Sequence, residues 1–281
     1  MSWRMRVVHT TGYVYDAPVT RSFNEARLTP RADSRQTVIL NRVDTVPSTR
    51  SYRYADYWGT AVTAFDLHAP HTELEVTSAS VVETEPFAGP PEELSWEELR
   101  DDAIADRFDE LLEPTVYVPR EKRRLAPVAR QLARGVSPAK AVVRAAEWVH
   151  REMNYLAGTT SVHTSAVQAF AERQGVCRDY AHLTLLLLRG MGIPSRYVSG
   201  YLHPDPSAEV GHTVAGQMHA WVEAWTGQWW GYDPTNNIPV TEQHVSVGVG
   251  RDYADVPPLK GIFSGSGSTD LEVVVEITRL A

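Results

Sequence analysis

Over about the first 85 residues, apolar and polar side chains alternate with a period of two, and no helical period survives beyond a turn or so. The candidate strands are RMRVVHTTGYVY, QTVILNRVDTV, TAVTAFDL and TELEVTSASVVE. Alternation of this kind puts one set of side chains on each face of a pleated strand. Such a stretch can bury its apolar set only by pairing into an all-β unit. Pro18, Pro30 and Pro47 fall between the candidate strands, where a missing backbone donor costs no ladder bond.

The pattern breaks at EPFAGPPEELS, residues 85–95, where Pro86, Gly89, Pro90 and Pro91 crowd together. This places a domain boundary at 88/89, with an N-terminal β-domain over 1–88 and a second unit over 89–281. Beyond it the period becomes helical. SWEE, from Ser95 to Glu98, reads as a capping box. SPAKAVVRAAEWVHREMNY has Ser137 as N-cap and Pro138 at the first helical position. Its stripe of Ala141, Val142, Ala145, Trp148, Val149 and Met153 faces a core. TSAVQAFAERQG predicts another helix, with Gly175 as its stop. The helix in CRDYAHLTLLLLRG is apolar nearly all round and so is central, ending at Gly190 and Gly192 ahead of Pro194. Strands return in SRYVSGYL, QMHAWVEAW, QWWGYDP and LEVVVEIT, and SGSGST (264–269) reads as a short flexible loop. The last strand is expected to rejoin one of the two sheets.

A formal net charge of −8 argues against a nucleic-acid partner, since such domains present a basic face. The run from Leu185 to Leu188 is far short of the ~20 apolar residues a membrane span needs. The N-terminal segment alternates and lacks the continuous apolar stretch of a signal peptide. A single cysteine gives no intramolecular disulfide and no sign of an oxidising compartment. A cytoplasmic protein without membrane contact is expected.

That one cysteine, Cys177, opens the central helix. A free cysteine is most often a small buried hydrophobe. In the first turn of a helix, however, it meets unpaired N–H groups and the positive end of the macrodipole, which favour thiolate over thiol. The same N–H groups can hold an oxyanion. A nucleophile of this sort needs a base and a group that orients the base. Among ten histidines, His219 is the best placed. Alternation in QMHAWVEAW puts His219, Trp221, Glu223 and Trp225 on one face. A Thr-Gly turn pairs this strand with QWWGYDP, whose Asp233 could fix the imidazole tautomer. Taken singly, His219 also reads as an ordinary strand histidine, and DPTNN as a simple turn.

Together, GVCRDYAHLTLLLLRGMGIPSRYVSGYL, HAWVEAW and GYDPT resemble the transglutaminase-like superfamily of papain-related cysteine enzymes. YDAPVTRSFNEARLTPR, ADYWGTAVTAFDL and LEVTSASVVE resemble the β-domain that precedes the core in its bacterial members, and DVPPLKGIFSGSGSTDLEVVVEI resembles their C-terminal ending. Relatives often carry Asn at the position of Thr60, a turn position. The resemblance implies an α+β fold: a nucleophile helix packed on an antiparallel sheet, preceded by a small all-β domain. It implies Cys177 as nucleophile, His219 as general base and acid, and Asp233 as orienting carboxylate. The separations are 42 residues from Cys177 to His219 and 14 from His219 to Asp233. It further implies acyl transfer or hydrolysis at amide bonds of a protein or peptide substrate, through a thioester, with no cofactor and no metal. The cysteine's own N–H would form the oxyanion site with an upstream donor, Tyr155 or Gln174. Trp221, Trp230 and Tyr201 are expected as aromatic walls.

Two rivals are weaker. A metallohydrolase using Cys177, His182, His212 or His219 lacks C-x-x-C and H-E-x-x-H spacing, and positions 177 and 182 do not share a helical face well. His163, His203 and His244 have no carboxylates in ligand spacing and read as surface or structural. No calcium loop of the EF-hand pattern is present. The other rival, a silent scaffold that binds peptide or glycan, fits poorly with three filled triad positions.

Overall fold

The alternation at the N-terminus becomes β1 (Trp3–Val19), in which Trp3, Met5 and Val7 are buried while Arg4 and Arg6 stay in solvent. The computed structural model describes residues 2–86, 89–90, 94–265 and 267–281. Strands β2 (Arg21–Ala26), β3 (Gln36–Val46), β4 (Ser51–Ala55), β5 (Ala61–Leu67) and β6 (His71–Thr84) complete the β-rich first part. Pro18 lies within β1 rather than between strands. It falls where the register with β6 shifts between Val14 and Val19, so no ladder donor is missed there. Thr60 sits in the β4–β5 turn, its N–H donating to the Asp56 carboxylate at 2.9 Å.

Helices follow: α1 (Trp96–Leu99), α2 (Asp102–Arg107), α3 (Asp109–Leu112), α4 (Leu125–Ala133) and α5 (Pro138–Glu152). The capping box at Ser95 forms, with the Ser95 and Glu98 side chains each accepting the other's backbone N–H. The proline-rich segment lies partly outside the described residues, at 87–88 and 91–93, which takes in residue 88 of the expected boundary. Next come β7 (Asn154–Tyr155), α6 (Ala166–Glu172), β8 (Gln174–Gly175) and α7 (Cys177–Gly190). The last strands are β9 (Ser195–Leu202), β10 (Thr213–Gly216), β11 (Met218–Trp225), β12 (Trp229–Asp233), β13 (Ile238–Pro239), β14 (His244–Gly250), β15 (Leu259–Ser264) and β16 (Ser268–Arg279). Of the expected loop at 264–269, residue 266 is outside the described set.

Helix α7 is buried on every side from Asp179 to Leu188. It packs on β11 through Ala220, Val222 and Ala224, with α4, α5 and α6 around it. Its end is a Schellman turn. Gly192 adopts φ +82, its N–H donates to Arg189 O at 3.0 Å, and the Ile193 N–H donates to Leu188 O at 3.0 Å. Gly190 is still helical. The core sheet runs β13-β12-β11-β9-β14. The fold is α+β: mixed helices and sheet in the core, with the N-terminal part all β.

Two further sheets, β10-β16-β1-β6-β3 and β15-β2-β5-β4, mix strands from both sides of residue 88. The last strand, β16, pairs antiparallel with β1, from Met5 opposite Arg279 to Tyr15 opposite Ser268. Gln36, at the start of β3, clasps the core sheet. Its amide nitrogen donates to Ser246 O at 2.8 Å and its amide oxygen accepts the Ser246 N–H at 2.8 Å. Among the described residues no helix is long and apolar enough to cross a membrane.

Both partners of the Gln36 clasp are buried. Gln36→Leu therefore strands the Ser246 N–H. It is expected to lower the unfolding free energy by about 2 kcal/mol, read as a lower urea midpoint at unchanged slope.

Candidate active site

The start of α7 is built by a carboxylate. Asp179, in the first turn and fully buried, accepts the Val176 N–H at 2.9 Å and the Thr160 hydroxyl at 2.6 Å. This ties the helix start to the 160s loop and satisfies an amide that has no intrahelical partner. Gly175 makes the contact possible: a Cβ there would stand 2.7 Å from the Asp179 carboxylate oxygen. Gly175 is thus a close-approach glycine. It is not the stop of α6, which ends two residues earlier with Arg173 in the left-handed conformation at φ 55. Arg178 donates to Ser161 O at 2.8 Å, pinning the same loop. Cys177, partly exposed, is left at the helix mouth with its N–H at the positive end of the dipole.

His219 opens β11 and Asp233 ends β12, so the two strands bring them together at one end of the sheet. His219 Nε2 lies 2.7 Å from Asp233 Oδ2. The Cys177 side chain lies close enough to act on the same imidazole. Asp233 is wholly buried yet well supplied with donors. Oδ1 accepts the N–H groups of Thr235 at 2.9 Å and Asn236 at 3.2 Å, and Oδ2 accepts the Asn236 side-chain amide at 2.7 Å. Burial opposes the anion, but the hydrogen bond to His219 and the nearby His244 imidazole hold the carboxyl well below the usual carboxylate range. Burial likewise opposes charge on His219. The hydrogen bond to Asp233 and the nearby Cys177 side chain outweigh it and push the imidazole up to about 10.

The structure therefore brings Cys177, His219 and Asp233 into one contiguous group. A cleft of about 440 Å³ opens beside it, lined by Tyr155, Leu202, Gln217, Met218 and Asn236 among others. Tyr155 stands in β7, paired with Gly175 of β8, and is pushed up by burial and then by the charge of Cys177. Gln174 sits in β8 opposite Asn154 and is not part of the cleft lining. The expected aromatic walls do not line the cleft: Trp221, Trp230 and Tyr201 are all buried, Trp221 with its ring 6.1 Å from that of His219. The alternation that assigns strand faces says nothing about which face opens to solvent.

Three polar residues at the site went unread in the sequence. Asp179 and Asn236 lie two or three residues from the triad positions, and the Gly-x-x-x-Asp and Asp-Pro-x-Asn spacings could have flagged them. His244 is the third. The sequence around it offers no carboxylate in ligand spacing, yet it is buried with Nε2 3.5 Å from Asp233 Oδ2. His182 is buried and accepts the Tyr253 N–H at 3.1 Å. His212 and His163 are exposed, and His203 is buried with its Nδ1 beside Asp205.

Residues 127–234, which include all three positions, match the family model described as the transglutaminase-like superfamily. The chain belongs to that superfamily. Residues 5–83 match the bacterial transglutaminase-like N-terminal region. An uncharacterized protein of Mycobacterium leprae is 64% identical over 279 residues, covering 99% of this chain and 100% of that one. An uncharacterized protein of Mycobacterium tuberculosis is 33% identical over 306 residues, covering 98% and 92%. A 73-residue stretch is 36% identical to a protein-glutamine gamma-glutamyltransferase of Pseudomonas aeruginosa, spanning 25% of this chain and 11% of that protein. The crystal structure of a candidate cysteine protease from Cytophaga hutchinsonii shares the fold, with a TM-score of 0.77 at 21% identity over 100% of this chain and 92% of that one. Superfamily membership and fold together support a cysteine-based enzyme.

The His219–Asp233 pair carries a pH signature. His219 holds its proton more tightly folded than unfolded, so its contribution to stability is complete below pH 6.5 and is lost as pH rises toward about 10. Asp233 contributes fully above its unfolded value of 3.8, and that part is lost as pH falls below it. Urea titrations across pH should show the stability gap between wild type and His219→Gln narrowing from pH 6.5 upward. A gap that is flat or widening there would contradict the pairing.

Proposed function

We propose that the protein is a cysteine acyltransferase or hydrolase acting on amide bonds of a protein or peptide, with Cys177 as nucleophile, His219 as general base and acid, and Asp233 as the group that orients His219. The observation that carries this reading is one chain of contacts. A partly exposed thiol at a helix N-terminus adjoins an imidazole whose Nε2 sits 2.7 Å from a buried carboxylate.

In the proposed cycle, His219 takes the thiol proton and Cys177 attacks the substrate carbonyl. The Cys177 N–H, at the start of α7 where no helical carbonyl can reach it, donates to the resulting oxyanion. The Tyr155 hydroxyl, in the adjoining cleft, is the side-chain donor best placed to join it. His219 then gives its proton to the leaving amine or ammonia, and a thioester remains on Cys177. An incoming water or amine passes a proton to His219 as it attacks the thioester. This releases the acyl product and restores the thiol. Asp233 keeps the imidazole in one tautomer and stabilises it while charged. Water gives hydrolysis, and an amine gives transamidation. The similarity to a glutamyltransferase over one stretch, and to a candidate cysteine protease in fold, is consistent with either acceptor.

Labelling of Cys177 by iodoacetamide tests the nucleophile. Wild type should label quickly below pH 7, and His219→Ala should lose that acid-side reactivity. Slow labelling along an ordinary thiol curve in both would point instead to a silent scaffold. On a glutamine-amide or peptide substrate found by screening, Cys177→Ala should abolish turnover, while His219→Ala should reduce it by about a thousandfold.

A further inference from the structure

His244 opens β14, which is separated from β11 by β9 in the core sheet. Even so, its ring crosses β9 to reach Asp233. Gly200 of β9, directly opposite His219 in the ladder, is closely covered. A Cβ there would lie 2.5 Å from the Trp221 ring. The Trp221 indole fills that space and meets the His244 ring edge-to-face at 5.1 Å.

The orientation of His244 is fixed by its other nitrogen. The Thr241 N–H donates to His244 Nδ1 at 3.1 Å, and the Thr241 hydroxyl lies 3.4 Å from the same atom. A nitrogen that accepts a backbone N–H carries no proton of its own, so the neutral ring holds its proton on Nε2. That N–H has no hydrogen-bond partner among the described residues, and Asp233 Oδ2, the oxygen already bound by His219, lies 3.5 Å away. The charged and titratable groups facing His244 are Asp233 of β12, His219 of β11 and Arg35 ahead of β3. Arg31, Arg196 and Glu223 lie across the cavity behind it. Burial, together with His219 and Arg35, keeps His244 below its ordinary value and therefore neutral.

We propose that His244 is a positioning residue acting through Asp233: its Nε2–H supports the carboxylate whenever His219 is neutral, and so sets how readily His219 gives up its proton. This rests on the proposed roles of Cys177, His219 and Asp233. The physical argument is one of coupling. A donor bonded to a buried anion is worth most when no cation compensates that anion. While His219 is charged, Asp233 has its counter-ion and His244 adds little, in keeping with the long 3.5 Å separation. Once Cys177 is acylated no thiolate remains, and His219 must be neutral to take a proton from the attacking water or amine. Asp233 is then an uncompensated buried carboxylate, and the His244 donor favours that state. Without it His219 would hold its proton to higher pH and thioester release would slow. The two backbone bonds to Oδ1 and the Asn236 amide on Oδ2 keep Asp233 in place when His244 is changed.

The test is a nuclear magnetic resonance titration of the His219 ring in the full chain carrying Cys177→Ser, which removes the thiolate as acylation does. Added His244→Leu should raise the His219 titration midpoint by about half to one pH unit, the worth of one ordinary hydrogen bond. His244→Gln, whose amide offers a donor at similar reach, should return it to the parent value. No shift in His244→Leu, a downward shift, or equal shifts in both variants would overturn the proposal. Should His244→Leu fail to fold, the parent still decides. The His244 ring nitrogen signals should respond as His219 titrates, and their indifference would also overturn it. Alkylation of Cys177 in the unmodified chain is a separate readout. Ordinary thiol behaviour there would sink the nucleophile reading, while the His219 titration still measures the coupling.

Discussion

A carboxylate with no exposure to water dictates much of this molecule. Taking an ion such as Asp233 out of solvent costs several kcal/mol unless donors surround it. Here they come from separate parts of the chain: His219 on the neighbouring strand, the Thr235 and Asn236 amides in the turn that follows, and His244 from beyond β9. Each demand fixes something larger. The β11–β12 hairpin must keep its register, the Asp-Pro turn must curl back over the carboxylate, and β9 must carry glycine at position 200. Clasped by Gln36, β14 is held against the N-terminal sheet at the same place. The site is where sheet order, turn chemistry and inter-sheet docking meet.

The other half of the site follows a similar rule with a different carboxylate. Asp179 lies inside the start of α7 and takes an amide of the segment that enters the helix, together with the Thr160 hydroxyl. Its charge complements the helix dipole at the end where a negative charge is favoured. The thiol two residues earlier is thereby presented on a fixed turn rather than a fraying one. The cost is conformational: residue 175 must have no side chain.

Features carried by local pattern were legible in the sequence. The placement of Cys177 follows from where one helical period stops and another starts. His219 and Asp233 follow from alternation across a hairpin whose turn is itself encoded. The strands of the first part and the Ser95 and Ser137 caps were equally local. What escaped notice depends on tertiary approach. Nothing in the neighbourhood of His244 says that its ring comes within 3.5 Å of a carboxylate on a strand two places away in the sheet. Trp221, Trp230 and Tyr201 were assigned to a cleft because a period of two distinguishes faces without saying which one is covered. Gly175 was read by its backbone freedom, but it is used for its lack of volume. Arg173 bears the left-handed turn that a glycine was expected to supply.

One feature of the sheets bears on when the cleft can exist. Ala215 and Gly216 of β10 line it, and β10 stands at a sheet edge where, among the described residues, its ladder partner is β16. The hydroxyls of Thr213 and Thr278 that join the two strands lie 65 residues apart in the chain. During synthesis the thiol and its imidazole leave the ribosome well before the strand that anchors this wall. Until β16 slots in beside β1, the wall has no ladder to hold it. Maturation of the cleft is in this sense timed by the order of translation.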